Sequence, residues 1–80
     1  MDRLSTACDV RRLVSAALER PIGESEDVSR MSEPRWDSLR HVELIFLLED
    51  YFDIRFSAQD LDSLNDLQGI VRTVEAHRAA

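Results

Sequence analysis

Between residues 38 and 52 the chain reads Ser-Leu-Arg-His-Val-Glu-Leu-Ile-Phe-Leu-Leu-Glu-Asp-Tyr-Phe, and its apolar positions recur at the three- and four-residue spacing of a helix. Asp37 stands where an N-cap belongs, and Pro34 lies just far enough upstream to stiffen the approach. Val42, Ile45, Leu48 and Phe52 fall on one side and form the expected core strip. Leu39, Glu43, Phe46 and Asp50 fall on a neighbouring side, which mixes two large apolar groups with two acids. A strip of that kind suits protein recognition, although Phe46 completing the core is the other reading. With 80 residues in all, such a helix finds cover only against other elements of one small domain.

The rest of the chain supplies those elements. Val10, Leu13, Val14, Ala17 and Leu18 mark a first helix over about residues 2–19, extended at its start by Leu4 and Ala7. Arg11, Arg12 and Glu19 are left to solvent. Pro21 and Gly23 break the pattern, and residues 24–33 read as a polar connection in which Val28 and Met31 are expected to anchor onto the helices. Ser57 followed by Asp60 resembles a capping box, with Asp in place of Glu, and predicts a short helix over residues 57–62. Leu67, Ile70, Val71 and Val74 define a last helix over residues 65–77, where Gly69 permits close packing and Arg78 suits the C-terminal end. The fold class is therefore all-α: a single domain over residues 1–80, a small bundle of three main helices and one short one, with no room for a parallel sheet.

Charge and cysteine content exclude several functions. Ten basic side chains, all arginine, face sixteen acids for a net charge of −6, which argues against nonspecific nucleic-acid binding and is compatible with basic protein partners. Cys8 is the only cysteine, so no intrachain disulfide forms, and its neighbours Ala7, Val10 and Leu13 predict burial as a small hydrophobe. The longest apolar run, residues 44–48, is far too short to span a bilayer, and no signal-peptide pattern opens the sequence. A cytoplasmic monomer without membrane insertion is the expectation. His41 and His77 lack a convincing third ligand, so no metal site is expected. Ser38 and His41, three positions apart, share a helix side, but no orienting group or oxyanion site accompanies them, so the chain is not read as an enzyme.

The run Trp36-Asp37-Ser38-Leu39, continued by Val42-Glu43-Leu44 and Leu48-Glu49-Asp50-Tyr51-Phe52, closely resembles the modification site of the acyl and peptidyl carrier proteins. The resemblance extends over nearly the whole chain and implies an acyl-carrier-like four-helix bundle. It gives Ser38 the role of covalent attachment point for a 4′-phosphopantetheine arm, whose thiol holds an acyl or aminoacyl cargo as a thioester, with Asp37 and Leu39 beside the attachment. It also implies partner contacts at Leu39, Arg40, Glu43, Phe46, Glu49 and Asp50. The implied partners are a phosphopantetheinyl transferase, a loading enzyme and a downstream synthase or transferase. Two departures point away from ordinary fatty-acid synthesis and toward a specialised pathway, such as polyketide, aminoacyl or peptidyl assembly. Trp36 stands where the family often has a small residue, and basic Arg40 stands where fatty-acid carriers commonly have an acid. Trp36 is expected at the core edge, the other reading being partial exposure for a partner; Arg40 has three readings, namely pairing with an acid, contact with the phosphate, or a solubilising role. A second Asp-Ser-Leu at residues 62–64 is assigned to capping by Ser63 and packing by Leu64. The competing function is an unmodified helical adaptor that binds a partner through the second helix while Ser38 serves only as a cap.

Overall fold

The computed structural model describes residues 3–23 and 26–79 and contains four helices in them: α1 (Arg3–Leu18), α2 (Ser38–Phe52), α3 (Ala58–Leu61) and α4 (Leu67–Ala79). The expected helix start at Asp2 lies outside the described residues. α1 is the central element and packs against both α2 and α4. It does so through Val10, Val14, Ala17 and Leu18, which lie on one stripe and are buried. Leu13 sits at the margin of that stripe, half-buried.

Each boundary has a local cause. α2 begins where Asp37, in extended backbone, accepts the N–H of Arg40, and it ends where Asp53 turns left-handed and its N–H returns to the Glu49 carbonyl. α3 exists because the Ser57–Asp60 capping box forms in both directions, as its sequence suggested. α4 starts one to two residues later than expected, because its cap is Asp66: Oδ1 accepts the Gly69 N–H at 2.6 Å. Ser63, expected as a cap, instead contributes its carbonyl to packing. A Cβ on Gly69 would stand 2.0 Å from the Ser63 oxygen, so only glycine lets α4 lie this close to the preceding turn. Leu64 is buried as expected.

The long connection is pinned rather than free. The Arg30 N–H donates to the Asn65 carbonyl at 2.9 Å, and the Leu67 N–H to the Val28 carbonyl at 3.1 Å, forming an isolated antiparallel bridge between Ser29 and Asp66. Val28 is buried there, so half of the anchoring expectation holds. Met31 is a correction: it is 99% exposed, because it occupies the turn that follows the bridge.

Two further corrections concern helix faces. Cys8 is exposed rather than buried, since it lies about 200° around the helix from Val10. On α2, Leu44 and Leu48 are the fully buried residues, with Ile45 and Phe52 flanking them half-buried, while Val42 is 48% exposed. Residues 44–48 are apolar at every position, so periodicity alone does not select the inward side; contact with α1 selects Leu44 and turns Val42 outward.

Candidate functional site

The site is the first turn of α2 and the segment leading into it. Glu33 organises the approach: its Oε2 accepts the Arg35 N–H at 2.9 Å, its carbonyl accepts the Trp36 N–H at 3.0 Å, and its Oε1 pairs with Arg20 Nε at 3.1 Å. The Trp36 side chain, only 3% exposed, drops into the core and fixes the chain direction just before Asp37. This agrees with packing near the core but is deeper than an edge position. Asp37 Oδ1 then accepts the Arg40 N–H at 2.9 Å, and the Asp37 carbonyl accepts the His41 N–H, also at 2.9 Å.

Because Asp37 takes the capping role, Ser38 is left as the first helical residue with its side chain exposed. Among the described residues, no hydrogen-bond partner engages the Ser38 hydroxyl. The backbone N–H groups of the helix start and the dipole they sum to surround it with positive partial charge.

Arg40 is fixed by α1. Its guanidinium donates to the Ala17 carbonyl at 2.9 Å and to Glu19 Oε2 at 3.2 Å, while Arg35 donates to the Glu19 carbonyl at 2.6 Å. Two cations thus serve the C-terminal end of α1, where the carbonyls lack intrahelical partners and the dipole is negative. Of the three readings of Arg40, pairing with an acid is the one observed. Glu49 is similarly engaged: Oε2 accepts the Phe56 N–H at 3.0 Å, and Oε1 lies 3.7 Å from Arg55. Both residues were expected on a partner-facing surface, and both are held by bonds within the fold.

The residues displayed on α2 are Leu39, 69% exposed, Phe46, 63% exposed, and the exposed carboxylates Glu43 and Asp50. Val42 and Leu47 join them, which the sequence reading did not place there. Spacings of three and four residues put Leu39, Val42, Glu43, Phe46 and Asp50 along one outward stripe. At its far end a shallow groove of about 420 Å³ is lined by Phe46, Glu49, Asp50, Asp53, Ile54 and Arg55.

Among the described residues, His41 makes no hydrogen bond to Ser38. Its Nδ1 accepts the Trp36 indole N–H at 3.0 Å, so the neutral ring carries its proton on Nε2 and offers the serine no free base there. Burial, and next the positive charge of Arg30, hold the His41 pKa below its ordinary 6.5. Ser63, the serine of the second Asp-Ser-Leu, is also exposed, but it lies in the α3–α4 turn with its N–H bonded to the Asp60 carbonyl. His77, in the last turn of α4, pairs with Asp60 at 2.7 Å. Among the described residues, no cluster of three or more His, Cys, Asp or Glu side chains is arranged to hold a metal ion, and no helix is long and apolar enough to cross a membrane.

Comparison of the chain with models of protein families, with curated proteins and with solved structures finds no match in any of the three.

Proposed function

We propose that this chain is a carrier protein: Ser38 receives a phosphopantetheine arm from coenzyme A through a separate phosphopantetheinyl transferase. When bound, the arm supplies a thiol that holds an acyl or aminoacyl intermediate as a thioester. The observation that carries this reading is the exposed, unbonded hydroxyl of Ser38 at the first position of a 15-residue helix, freed from capping by Asp37. A serine needed only to terminate a helix would occupy the cap itself and accept a backbone N–H.

The chain's own residues prepare the hydroxyl without activating it. Trp36 and Asp37 set where Ser38 stands, and the helix start favours the negative phosphodiester that modification creates. The Ser38 oxygen forms its P–O bond as the pyrophosphate linkage of coenzyme A breaks and adenosine 3′,5′-bisphosphate departs, while the serine proton leaves to a base on the transferase. The chain is on this reading a delivery module and not an enzyme. Leu39, Val42, Glu43, Phe46 and Asp50 are the surface that the transferase, the loading enzyme and the downstream synthase would share, with Leu39 nearest the arm. Acidic Glu43 and Asp50 suit partners with basic rims. Trp36 and Arg40 favour a specialised biosynthetic pathway, working in the cytoplasm as a monomer.

The adaptor reading is kept alive by one observation, the exposed apolar side chains of Leu39, Val42 and Phe46 on a single helix face. It requires partner binding that survives Ser38→Ala and no modification of Ser38. Incubation of the purified chain with coenzyme A and a broad-specificity transferase separates the two readings: the carrier gains one arm, and Ser38→Ala gains none.

A further inference from the structure

We propose that Trp36 and His41 form a proton-sensitive clasp that holds the start of α2, and Ser38 within it, in one position while His41 is neutral, and that releases it when His41 takes up a proton. Its effect on loading rests on the carrier reading of Ser38; its response to protons does not.

The clasp is a single hydrogen bond with a fixed sense. The Trp36 Nε1–H donates to His41 Nδ1 at 3.0 Å, with the ring centroids 6.1 Å apart and the planes tilted by 37°. An indole nitrogen is only ever a donor, so Nδ1 must carry its lone pair. Trp36 is buried, and a buried indole N–H without a partner is costly; His41 is that partner. The bond links residues on either side of Asp37 and Ser38, closing a short loop around the first helical residue.

Protonation cannot leave this bond in place. It puts a hydrogen on Nδ1, directly against the indole hydrogen, and turns an acceptor facing a donor into two donors. The surroundings offer the cation no compensation. Arg30, on the connection with its guanidinium at Asn65, acts on the ring with a charge of the same sign, and among the described residues no carboxylate pairs with His41. On its own helix, the Asp37 carboxylate is directed at the Arg40 N–H, and the Arg40 guanidinium is bonded to Ala17 and Glu19. The His41 proton therefore competes with the Trp36 bond, and release of the indole loosens the segment in which Ser38 sits.

The test follows the one tryptophan of the chain by two-dimensional ¹⁵N–¹H NMR on the whole 80-residue chain, from about pH 8 down to about pH 5. The indole N–H resonance is expected to move in one transition with its midpoint below 6.5, the ordinary histidine value. In His41→Gln, whose amide oxygen accepts the same bond but does not titrate, the resonance stays still over that range. In Trp36→Phe, followed by the His41 ring protons, the midpoint rises by about half to one pH unit. An indole resonance that ignores pH in the parent chain, or that titrates equally in His41→Gln, overturns the clasp, and this pair decides the matter even if Trp36→Phe does not fold. For Ser38, the ratio of arm-loading rates, parent to His41→Gln, is expected to fall several-fold from neutral pH to about pH 5.5. A constant ratio overturns the coupling to Ser38. A Ser38 that accepts no arm at any pH overturns the carrier reading and leaves the NMR result to stand or fall alone.

Discussion

Single side chains in this protein are fixed by which backbone groups they satisfy. Asp37, Asp53, Ser57, Asp60 and Asp66 each terminate or begin a helix, and Arg35 and Arg40 close the end of α1. Gly69 is the position where the absence of a side chain matters most. A methyl group there meets the Ser63 carbonyl at 2.0 Å and Asp66 Oδ1 at 2.8 Å, so the turn, the cap and α4 must all shift. Gly69→Ala is therefore expected to destabilise by about 1–3 kcal/mol despite alanine's better helix propensity, as read by urea unfolding. A stabilised variant would show that the turn moves freely. At this scale the Asp37 cap and the Ser57–Asp60 box are legible in the sequence because donor and acceptor are three residues apart, whereas the equally local Asp66 cap is not, because Ser63 offers a competing cap just upstream. For Arg40 the sequence allows pairing with an acid without singling it out, and it does not reveal the Ala17 carbonyl, which lies twenty-three residues away where no spacing rule connects them.

For the elements, the question was which side of each helix turns inward. α1 and α4 declared themselves, because polar residues interrupt their apolar stripes: Val10, Val14 and Leu18 on one, Leu67, Ile70 and Val74 on the other. α2 did not, since the unbroken apolar stretch at residues 44–48 fits several rotations. Contact with α1 fixes the rotation, with Leu44 and Leu48 inside and Val42 and Phe46 outside. The consequence is measurable. Leu48→Ala, at a site with no solvent exposure, is expected to cost about 2–5 kcal/mol, whereas Val42→Ala stays within about 0.5 kcal/mol of the parent. Equal losses at the two positions would contradict the rotation of α2, and with it the placement of Leu39, Val42 and Phe46 on the displayed stripe. Phe52, half-buried beneath the Arg78 guanidinium 5.3 Å from its ring, falls between these limits.

For the whole molecule, the three main helices are expected from periodicity and the short α3 from its capping box, while the pinning of the connection through Ser29 and Asp66, and of Trp36 through His41, depends on contacts that only the assembled fold creates. That assembly gives the domain a two-stage response to acid. His41 has a folded pKa below its ordinary 6.5, so the neutral ring is the folded form; its contribution is complete above 6.5 and is lost as pH falls toward the lower folded value. Asp60 is held below the ordinary 3.8, first by the Ser57 N–H and then by His77, and Glu26 is held below 4.5, first by Arg20 and then by the Gly23 N–H. Their contributions are present above those ordinary values and are lost only as pH falls through the folded ones. Urea midpoints measured against pH are expected to decline first below 6.5, in a step missing from His41→Gln, and again in the carboxylate range in both proteins. The most direct measurement concerns Ser38 itself. The folded chain, treated with coenzyme A and a broad-specificity phosphopantetheinyl transferase and digested for peptide mass analysis, is expected to carry one arm, on the peptide that contains Ser38. An unmodified folded chain, or an arm found only on the peptide containing Ser63, would contradict the carrier reading at Ser38.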